Sequence, residues 1–334
     1  DDAVILVDRF LDDAIEVDVD CVADGERVVI GAVMEHLERA GIHSGDSATI
    51  LPPFTLGADV VFEIERVVRA IALELGVVGL MNTQLAVKGK EVFVLEVNPR
   101  ASRTVPFVSK ATGVPLARIA TKIMLGETLD ELGIDDAPLT RHSAAKECVF
   151  PFKKLRADTI LGPEMRSTGE VMGIGDTAAR AYGRALRAIG IHLKAPRALE
   201  GPDMAKNANK AFLSVSPSDR RNVVEIARRL RAVGFVLTTD APTAAALAPS
   251  RIPSTTIDAD QAETTLRQGA YSFALVTAEG DDEIAKTRPL RTAALAGGVP
   301  CFTTTALARA GCSALEEDDG AERVSSLQEW YALE

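Results

Sequence analysis

The chain has 334 residues, of which 47% are hydrophobic and 25% charged, and its 48 acidic and 37 basic side chains give a formal net charge of −11. This acidic balance, without any basic run, argues against a nucleic-acid partner. No apolar stretch approaches the roughly 20 residues that a membrane-spanning helix needs, so no membrane association is expected. Domains of about 100–200 residues make two folded units the expectation.

The cysteines are scattered along the chain without a CxxC pair, which is typical of reduced thiols. They are Cys21, Cys148, Cys301 and Cys312. Because no signal peptide precedes them, a cytoplasmic location is expected. The chain opens on Asp1 rather than methionine and runs straight into the strand-like segment Ala3–Val7, which suggests a piece of a longer protein.

A hairpin and a helix are predicted in the first quarter of the chain. Residues 16–34 form the hairpin, because apolar and acidic residues alternate before the turn signal Asp24-Gly25. The helix covers Ala58–Leu75, where apolar residues recur every three or four positions. Gly76 is well placed to end it.

A second hairpin is predicted from Leu80–Val87 and Glu91–Asn98. If residues 88–90 form a three-residue loop, Gln84 lies opposite Val94. Side chains two apart in a strand share a face, and directly opposite residues share it too. This register therefore gathers Gln84, Glu96 and Asn98 on one face.

Residues from about Pro115 to Leu199 are predicted to be helical and irregular. After Lys210, strands alternate with helices, which is typical of a parallel, doubly wound sheet. The predicted strands are 211–216, 235–239, 270–277 and 301–304, and the predicted helices are 219–233 and 288–296, the second with Pro289 in its first turn. The domain boundary is expected between Ala195 and Asn209.

Gln84, Glu96 and Asn98 place three oxygen-bearing side chains where a core-facing strand is apolar. Hard cations such as magnesium take oxygen ligands and keep phosphate oxygens in the same shell. We interpret this face as a metal–nucleotide site, with a solvated sheet face as the alternative. Arg100 and Arg103 follow directly and suit a phosphate, because a guanidinium group donates bidentately; for them, surface salt bridges are the alternative.

The segment Gly41–Ser47 is a small, polar, glycine-punctuated loop that can expose backbone amides and hydroxyls to a ligand. His43 lies in it, and a lone loop histidine also fits a structural or solvent-exposed role. The sequence contains no Ser/His/Asp elbow and no Cys/His cluster with metal-ligand spacing. Hydrolase and zinc-enzyme hypotheses therefore have no support.

Six segments together closely resemble the large subunit of carbamoyl phosphate synthetase. They are Phe10–Asp20, Met34–His36, Gly41–Ser47, Glu96–Arg100, Arg103–Gly113 and Leu161–Gly173. The match is to the second, carbamate-phosphorylating half of that family. The resemblance implies the latter part of an ATP-grasp domain, mostly an antiparallel sheet with helices, at residues 1–126. It further implies a helical or irregular connection at 127–200 and a methylglyoxal synthase-like allosteric domain with a parallel sheet at 201–334, an α/β and α+β fold overall.

The resemblance assigns roles to residues in the first domain. It implies that Gln84, Glu96 and Asn98 hold the magnesium or manganese ions that bridge the ATP phosphates. It implies that the nucleotide is contacted by the metal ligands Gln84 and Glu96 and by seven further residues, Arg9, Leu11, Glu16, Gly41, Ile42, His43 and Ser44. Arg103, and with it Arg100, would stabilise charge on the transferring phosphoryl group, because positioning and electrostatics carry most of the catalysis in such transfers.

Two effector sites follow from the same resemblance. Glu38, Asp46 and Glu147 match acidic residues that bind the activator ornithine, with ordinary solvated carboxylates as the alternative. In the C-terminal domain, the residues that match a nucleotide-monophosphate site are Ser214, Arg220 and Thr243, but Asp240, Val276 and Ala278 stand where Thr, Asn and Thr are expected. Because a carboxylate repels a phosphate, a weak or altered response to uridylate and inosinate is expected.

The implied activity is ATP-dependent phosphorylation of carbamate to carbamoyl phosphate, for arginine and pyrimidine biosynthesis, with a small glutaminase subunit as partner. The chain is expected to begin inside the ATP-grasp domain and so to lack the glycine-rich loop that closes over ATP. It is therefore expected to be incomplete as a catalyst. The alternative is a catalytically inert regulatory module that binds effectors, and a different ATP-grasp ligase is disfavoured by Gly41–Ser47 and Arg103–Gly113.

Overall fold

A computed structural model of the chain describes residue 11 and residues 14–136, 140–155, 157–196, 210–318 and 324–332. It contains a seven-stranded antiparallel sheet and a five-stranded parallel sheet. The predicted strand Ala3–Val7 and the predicted nucleotide residue Arg9 lie outside the described residues, and so does most of the predicted boundary between Ala195 and Asn209.

The antiparallel sheet has the strand order β5-β4-β1-β2-β3-β6-β7. Its strands are β1 (Ile15–Asp24), β2 (Val28–His36), β3 (Thr49–Leu51), β4 (Val78–Lys88), β5 (Glu91–Asn98), β6 (Ser143–Val149) and β7 (Gly169–Gly175). The accompanying helices are α1 (Ala58–Glu74), α2 (Val105–Thr112), α3 (Leu116–Met124), α4 (Phe152–Leu155) and α5 (Ala178–Ala188). Both predicted hairpins and the predicted helix α1 are confirmed.

The parallel sheet has the order β10-β9-β8-β11-β12. Its strands are β8 (Lys210–Ser214), β9 (Val236–Thr239), β10 (Thr255–Thr256), β11 (Phe273–Val276) and β12 (Cys301–Phe302). The helices in this part are α6 (Val223–Ala232), α7 (Ala241–Leu247), α8 (Ala259–Arg267), α9 (Gly280–Gly297), α10 (Thr305–Glu316) and α11 (Leu327–Tyr331). The predicted alternation of parallel strands and helices is confirmed.

The second hairpin departs from its predicted register. Its turn holds two residues rather than three, because Lys88 pairs with Glu91. The predicted pairing of Gln84 with Val94 is therefore wrong. A β-bulge beside Gln84 shifts the register once more and sets this residue opposite Glu96. One shift would turn a side chain to the other face of the sheet, but two shifts restore it.

Two strands lie where helical or irregular structure was predicted. β6 pairs with β3, and β7 pairs with β6, so part of the predicted connection at 127–200 belongs to the antiparallel sheet. The sequence of β6 gives a weak strand signal, since Lys146 and Glu147 interrupt its short apolar run. Its strand form comes from pairing on both sides rather than from local pattern.

Helix α9 is longer than predicted and begins at Gly280, so Pro289 lies inside the helix rather than in its first turn. The missed start carries acidic residues at Asp281, Asp282 and Glu283. Such residues favour a helix N-terminus because they complement its dipole.

The central strand β1 has two different faces. Val17, Val19 and Cys21 are completely buried and share one apolar cluster with Val60, Ile64, Val68 and Ala72 of α1. The intervening residues of β1 are acidic and point to the opposite face. The fold therefore uses α1 to bury one side of the sheet and leaves a polar strip on the other.

The two sheets share a continuous apolar cluster. Ile50, Ala145 and Tyr182 from the antiparallel part belong to the same buried group as Leu213 and Phe273 of the parallel part. An ion pair crosses the same junction, in which Arg39 donates to both carboxylate oxygens of Asp219, at 2.9 and 2.7 Å. Within the described ranges, no helix combines the length and the apolar character needed to cross a lipid bilayer.

Candidate active site

A polar strip runs across three neighbouring strands of the antiparallel sheet. In it, Asp18 of β1 lies opposite Gln84 of β4, and Gln84 lies opposite Glu96 of β5. Two residues further along β1, Asp20 lies opposite Asn82 of β4, and Asn82 lies opposite Asn98 of β5. The structure thus brings together Gln84, Glu96 and Asn98, as the sequence predicts, and adds Asp18, Asp20 and Asn82, which the sequence reasoning did not single out.

The hydrogen bonds of Gln84 and Asn98 bear on whether this strip fits a cation. Gln84 donates its amide Nε2 to the hydroxyl of Ser44 at 2.9 Å, which orients the amide and leaves its oxygen as an acceptor. Asn98 Oδ1 accepts from Arg100 Nη2 at 3.1 Å. A positive group therefore already lies against one of the predicted ligand oxygens. Oxygens from amides and a carboxylate are a donor set that suits magnesium or manganese.

Asp20 holds the segment that carries the two arginines. Its carboxylate accepts hydrogen bonds from Asn82 Nδ2 at 2.9 Å, from Ser102 Oγ at 2.7 Å and from Thr104 Oγ1 at 2.6 Å. Burial raises the pKa of Asp20 to about 6, although these hydrogen bonds oppose the rise. Ser102 and Thr104 flank Arg103, so Asp20 fixes the backbone from which this exposed guanidinium extends.

The loop Gly41–Ser47 is attached to the same strip. The amide of Gly41 donates to Glu16 Oε2 at 3.2 Å, and Ser44 is tied to Gln84 as described above. Burial raises the pKa of Glu16. The structure therefore gathers Glu16, the loop and the predicted metal ligands, and Ile42 lies within the loop.

His43 has a structural role within that loop. Its Nδ1 accepts from the amide of Gly45 at 3.0 Å and so caps the short 3₁₀ turn Ser44–Asp46. Its own amide donates to the carbonyl of Gly162 at 3.0 Å. This leaves Nε2 as the ring nitrogen through which His43 can contact a ligand.

Lys146 was missed by the sequence reasoning. It is only 1% exposed, and its Nζ donates to the carbonyl of Ser44 at 3.2 Å. The only signal in the sequence is a lysine among small apolar residues. This signal was overlooked because the segment was predicted to be irregular. Its charge lies beneath the loop that the sequence assigns to the nucleotide.

A second cluster of acids lines a cavity of about 650 Å³ between the two sheets. Glu38 and Glu147 both line it, and Tyr182, which also lines it, hydrogen-bonds to Glu147. Burial raises the pKa of Glu38 to about 8, and the nearby charge of Glu147 adds to the rise. Burial likewise raises the pKa of Glu147 to about 7. The charges of Arg39 and Lys146 offset this burial only in part. Buried carboxyls are costly, and perturbed ones that line a cavity make it a candidate binding site.

Asp46, the third predicted acid, does not line this cavity. Its carboxylate accepts from the backbone amides of Arg166 and Ser167, at 2.7 and 2.8 Å. Its negative charge contributes to raising the pKa of Glu38. The geometry therefore separates Asp46, which ties two segments together, from Glu38 and Glu147, which face the cavity.

At the carboxyl ends of the parallel strands, the predicted effector residues already have internal partners. Ser214 Oγ donates to Asp240 Oδ2 at 2.7 Å, and Thr243 Oγ1 accepts from the amide of Val215 at 3.1 Å. Asp240 Oδ1 accepts from the amide of Thr243 at 2.9 Å and caps α7. Arg220 is exposed. Of the two predicted hydroxyls, that of Ser214 thus bonds to the carboxylate of Asp240 and that of Thr243 to the backbone.

Within the described residues, no three His, Cys, Asp or Glu side chains converge to hold a metal ion. The candidate metal site consists instead of amide and carboxylate oxygens on two strands. Its place beside a polar loop and two arginines is typical of a nucleotide site. The comparison with protein families agrees, since residues 1–132 match the family described as "Carbamoyl-phosphate synthase L chain, ATP binding domain".

Over 98% of its length, the chain is 44% identical to the carbamoyl phosphate synthase large chain of Myxococcus xanthus (strain DK1622) and 43% identical to that of Vibrio vulnificus (strain CMCP6). It spans 30% of the length of each relative. The resemblance to this large chain is therefore confirmed along nearly the whole sequence.

One solved structure, titled "Biotin Carboxylase domain of Thermophilic 2-Oxoglutarate Carboxylase bound to Bicarbonate", overlaps 54% of this chain and 47% of its own. The TM-score is 0.42 at 15% sequence identity, which is too low to bear on the site.

The buried carboxyl of Asp20 predicts a distinct pH dependence of stability. Its folded pKa of about 6 lies above the ordinary 3.8, so the folded state keeps this proton longer than the unfolded state. Between pH 4 and pH 7 the wild type should therefore lose about 2 kcal/mol of unfolding free energy relative to Asp20→Asn. Urea unfolding at both pH values measures the difference.

Asp59→Asn, at an exposed ion pair with Lys90, is the control and should show no such loss. A relative gain by the wild type would mean that the three donors outweigh burial.

Proposed function

We propose that this chain supplies the metal, nucleotide and phosphoryl-binding side chains for ATP-dependent phosphorylation of carbamate, within the large chain of a carbamoyl phosphate synthase. The observation that carries the proposal is the polar strip, in which Gln84, Glu96 and Asn98 lie together. Arg100 is hydrogen-bonded to Asn98, and Arg103 extends from the segment that Asp20 holds. The loop that borders the strip supports it, because Ser44 is hydrogen-bonded to Gln84 and the loop's polar groups therefore lie next to the candidate ligands.

The chain's own residues have separable tasks in this reaction. Glu16, Gly41, Ile42, His43 and Ser44 border the nucleotide, with Leu11 and Arg9 as further contacts from the preceding segment. Gln84, Glu96 and Asn98 would hold magnesium or manganese, which neutralises charge on the ATP phosphates when bound. Arg103 and Arg100 stabilise charge on the phosphoryl group during its transfer to carbamate. Asp20 holds the backbone that aims the arginines.

The wider assignment follows the relatives. We propose an ATP-grasp portion at 1–126, a connection at 127–200 that contributes β6 and β7 to its sheet, and a methylglyoxal synthase-like domain at 201–334. The partner is the small glutaminase subunit, the location is the cytoplasm, and the product serves arginine and pyrimidine biosynthesis.

An inert regulatory module is the second candidate. The exposure of Glu96, Arg100 and Arg103 favours it, because a phosphoryl transfer site needs these groups shielded from water. The two candidates differ in what Glu96 does. A nucleotide site requires its charge, whereas a module that binds effectors elsewhere does not.

ATP binding to the chain should depend on magnesium and on Glu96. We expect Glu96→Gln to weaken magnesium-dependent ATP binding about tenfold, equivalent to ~1.4 kcal/mol, because one anionic ligand is lost. Glu91→Gln, at the other end of the same exposed strand, is the matched control and should leave the affinity unchanged. Calorimetry with and without magnesium gives both values. Equal ATP affinities for the two variants would favour the inert module. Formation of carbamoyl phosphate by the chain alone, which we do not expect, would exclude that module.

We further propose that the cavity between the sheets binds an activator bearing ammonium groups, with ornithine as the specific candidate. Two buried carboxyls, Glu38 and Glu147, face a cavity whose other walls include apolar side chains such as Phe152, Leu186 and Val299. Such a site suits an aliphatic chain that carries positive charge. Asp46 adds negative charge from just outside the cavity.

Ornithine binding should strengthen as the pH rises from 6 to 8. The empty protein keeps protons on Glu147 and Glu38 until about pH 7 and 8, whereas a bound ammonium group favours both ionised forms. Binding therefore releases protons, and the affinity should rise by up to about tenfold per pH unit for each proton released. Calorimetry in buffers of different ionisation enthalpy counts the protons. Glu147→Gln should reduce that count, and Glu170→Gln, an exposed acid on β7, should not. An affinity independent of pH would contradict this assignment.

We propose that the C-terminal domain binds uridylate and inosinate weakly, because the Asp240 carboxylate is hydrogen-bonded to Ser214, one of the hydroxyls that would receive the phosphate. Asp240→Ser should strengthen uridylate binding at least several-fold, since serine still caps α7 and removes the negative charge. Asp258→Ser is the matched control, because Asp258 caps α8 in the same way. Calorimetry on the whole chain distinguishes the two. Tight uridylate binding by the wild type would refute the proposal.

A further inference from the structure

One extended segment connects the parallel part of the molecule to the loop Gly41–Ser47. This segment, residues 157–168, leaves α4 and leads into β7, and we call it the strap. Near its start it contacts α9, and towards its end it contacts the loop.

The start of the strap is held by a buried ion pair. Asp158 accepts from Arg291 Nε at 2.7 Å and from Arg291 Nη2 at 2.6 Å. The Arg291 side chain is completely buried, and its remaining donors reach Thr287 Oγ1 at 2.6 Å and the carbonyl of Ile284 at 2.9 Å. A bidentate pair with its other donors satisfied has one favoured geometry, so this contact fixes the strap against α9.

The end of the strap is held by the loop. The carbonyl of Gly162 accepts from the amide of His43 at 3.0 Å. The amides of Arg166 and Ser167 donate to the carboxylate of Asp46, which is only 1% exposed. Ser167 Oγ donates to the carbonyl of Gly45 at 2.7 Å. Two of these bonds use the loop's backbone and two use the buried Asp46 side chain, so a shift of the strap moves the loop.

Between these contacts the strap lines the cavity. Thr159 and Leu161 form part of its wall, and Arg291 forms another part. The ion pair is therefore next to the proposed activator, and the loop is next to the proposed nucleotide. The strap is a covalent connection between the two places.

We propose that Asp158 and Arg291 are positioning residues for the nucleotide loop: their ion pair fixes the strap, and the strap fixes residues 43–46. The positioning claim stands on the contacts above. The further claim that this positioning matters for ATP binding rests on the proposed function. A merely structural ion pair would stabilise the junction of the two parts without controlling the loop.

Hydrogen exchange of the full chain, without any nucleotide, tests the claim directly. In Asp158→Asn, which keeps the side chain's size, the amides of His43, Arg166 and Ser167 should exchange at least about tenfold faster, because a neutral partner holds Arg291 less tightly. The amides of β8 and β9 should keep their wild-type rates. Arg267→Met is the matched control, since it breaks an exposed pair with Glu263 in the same part of the molecule. It should leave the loop and strap unchanged.

Reversal of the pair separates positioning from general destabilisation. The double variant Asp158→Arg, Arg291→Asp should restore at least part of the slow exchange in the loop, whereas each single variant should not. Unchanged exchange at the three amides in Asp158→Asn would overturn the inference, and so would acceleration spread equally over both sheets. Calorimetry then shows whether Asp158→Asn weakens ATP binding several-fold. If the double variant regains slow exchange but the chain binds no ATP, the positioning role stands and the proposed function fails.

Discussion

Strand β1 pairs with β4 on one side and β2 on the other, and this double pairing fixes the direction of every side chain in the polar strip. A strand with two neighbours cannot slip without turning its apolar residues to the wrong face. Val17 and Val19 therefore lock Asp18 and Asp20 onto the side where the candidate ligands lie. The site depends on the hydrophobic burial beneath it, because α1 keeps the register by covering the apolar face.

The acids of the two sites differ in how the fold treats their charge. Asp20 is buried but surrounded by three donors, so its carboxylate serves as an internal anchor. Glu38 and Glu147 are buried, and within the part of the chain that the structure describes neither forms an ion pair like that of Arg291 with Asp158; the charges of Arg39 and Lys146 oppose the rise in their pKa values only in part. Perturbed buried carboxyls cluster at functional sites, which is why the proposed activator site is placed at these two acids.

The sequence predicted that Gln84, Glu96 and Asn98 share one face, as they do in the structure, although it predicted the wrong register and missed Asp18, Asp20 and Asn82. The loop was assigned one residue too many, and the bulge was not foreseen, but these two errors cancel with respect to the face. A bulge has no reliable signature in a single sequence, because it depends on how β5 meets β4. The strands β6 and β7 were missed because their identity comes from pairing with a distant partner. Pairs such as Arg39 with Asp219 join residues 180 positions apart, and no local pattern indicates them.

The position of β5 at the edge of its sheet has a mechanical consequence. Within the described residues it pairs with β4 alone, and it carries Glu96 and Asn98, two of the three candidate ligands. Gln84 lies on the inner neighbour, which is held on both sides. A divalent ion bound between the two strands would cross-link them. The more freely the edge strand moves, the more order the ion must impose, so a flexible edge lowers the affinity for the ion. Stiffening the hairpin at its turn, far from any ligand, would then raise the affinity for metal.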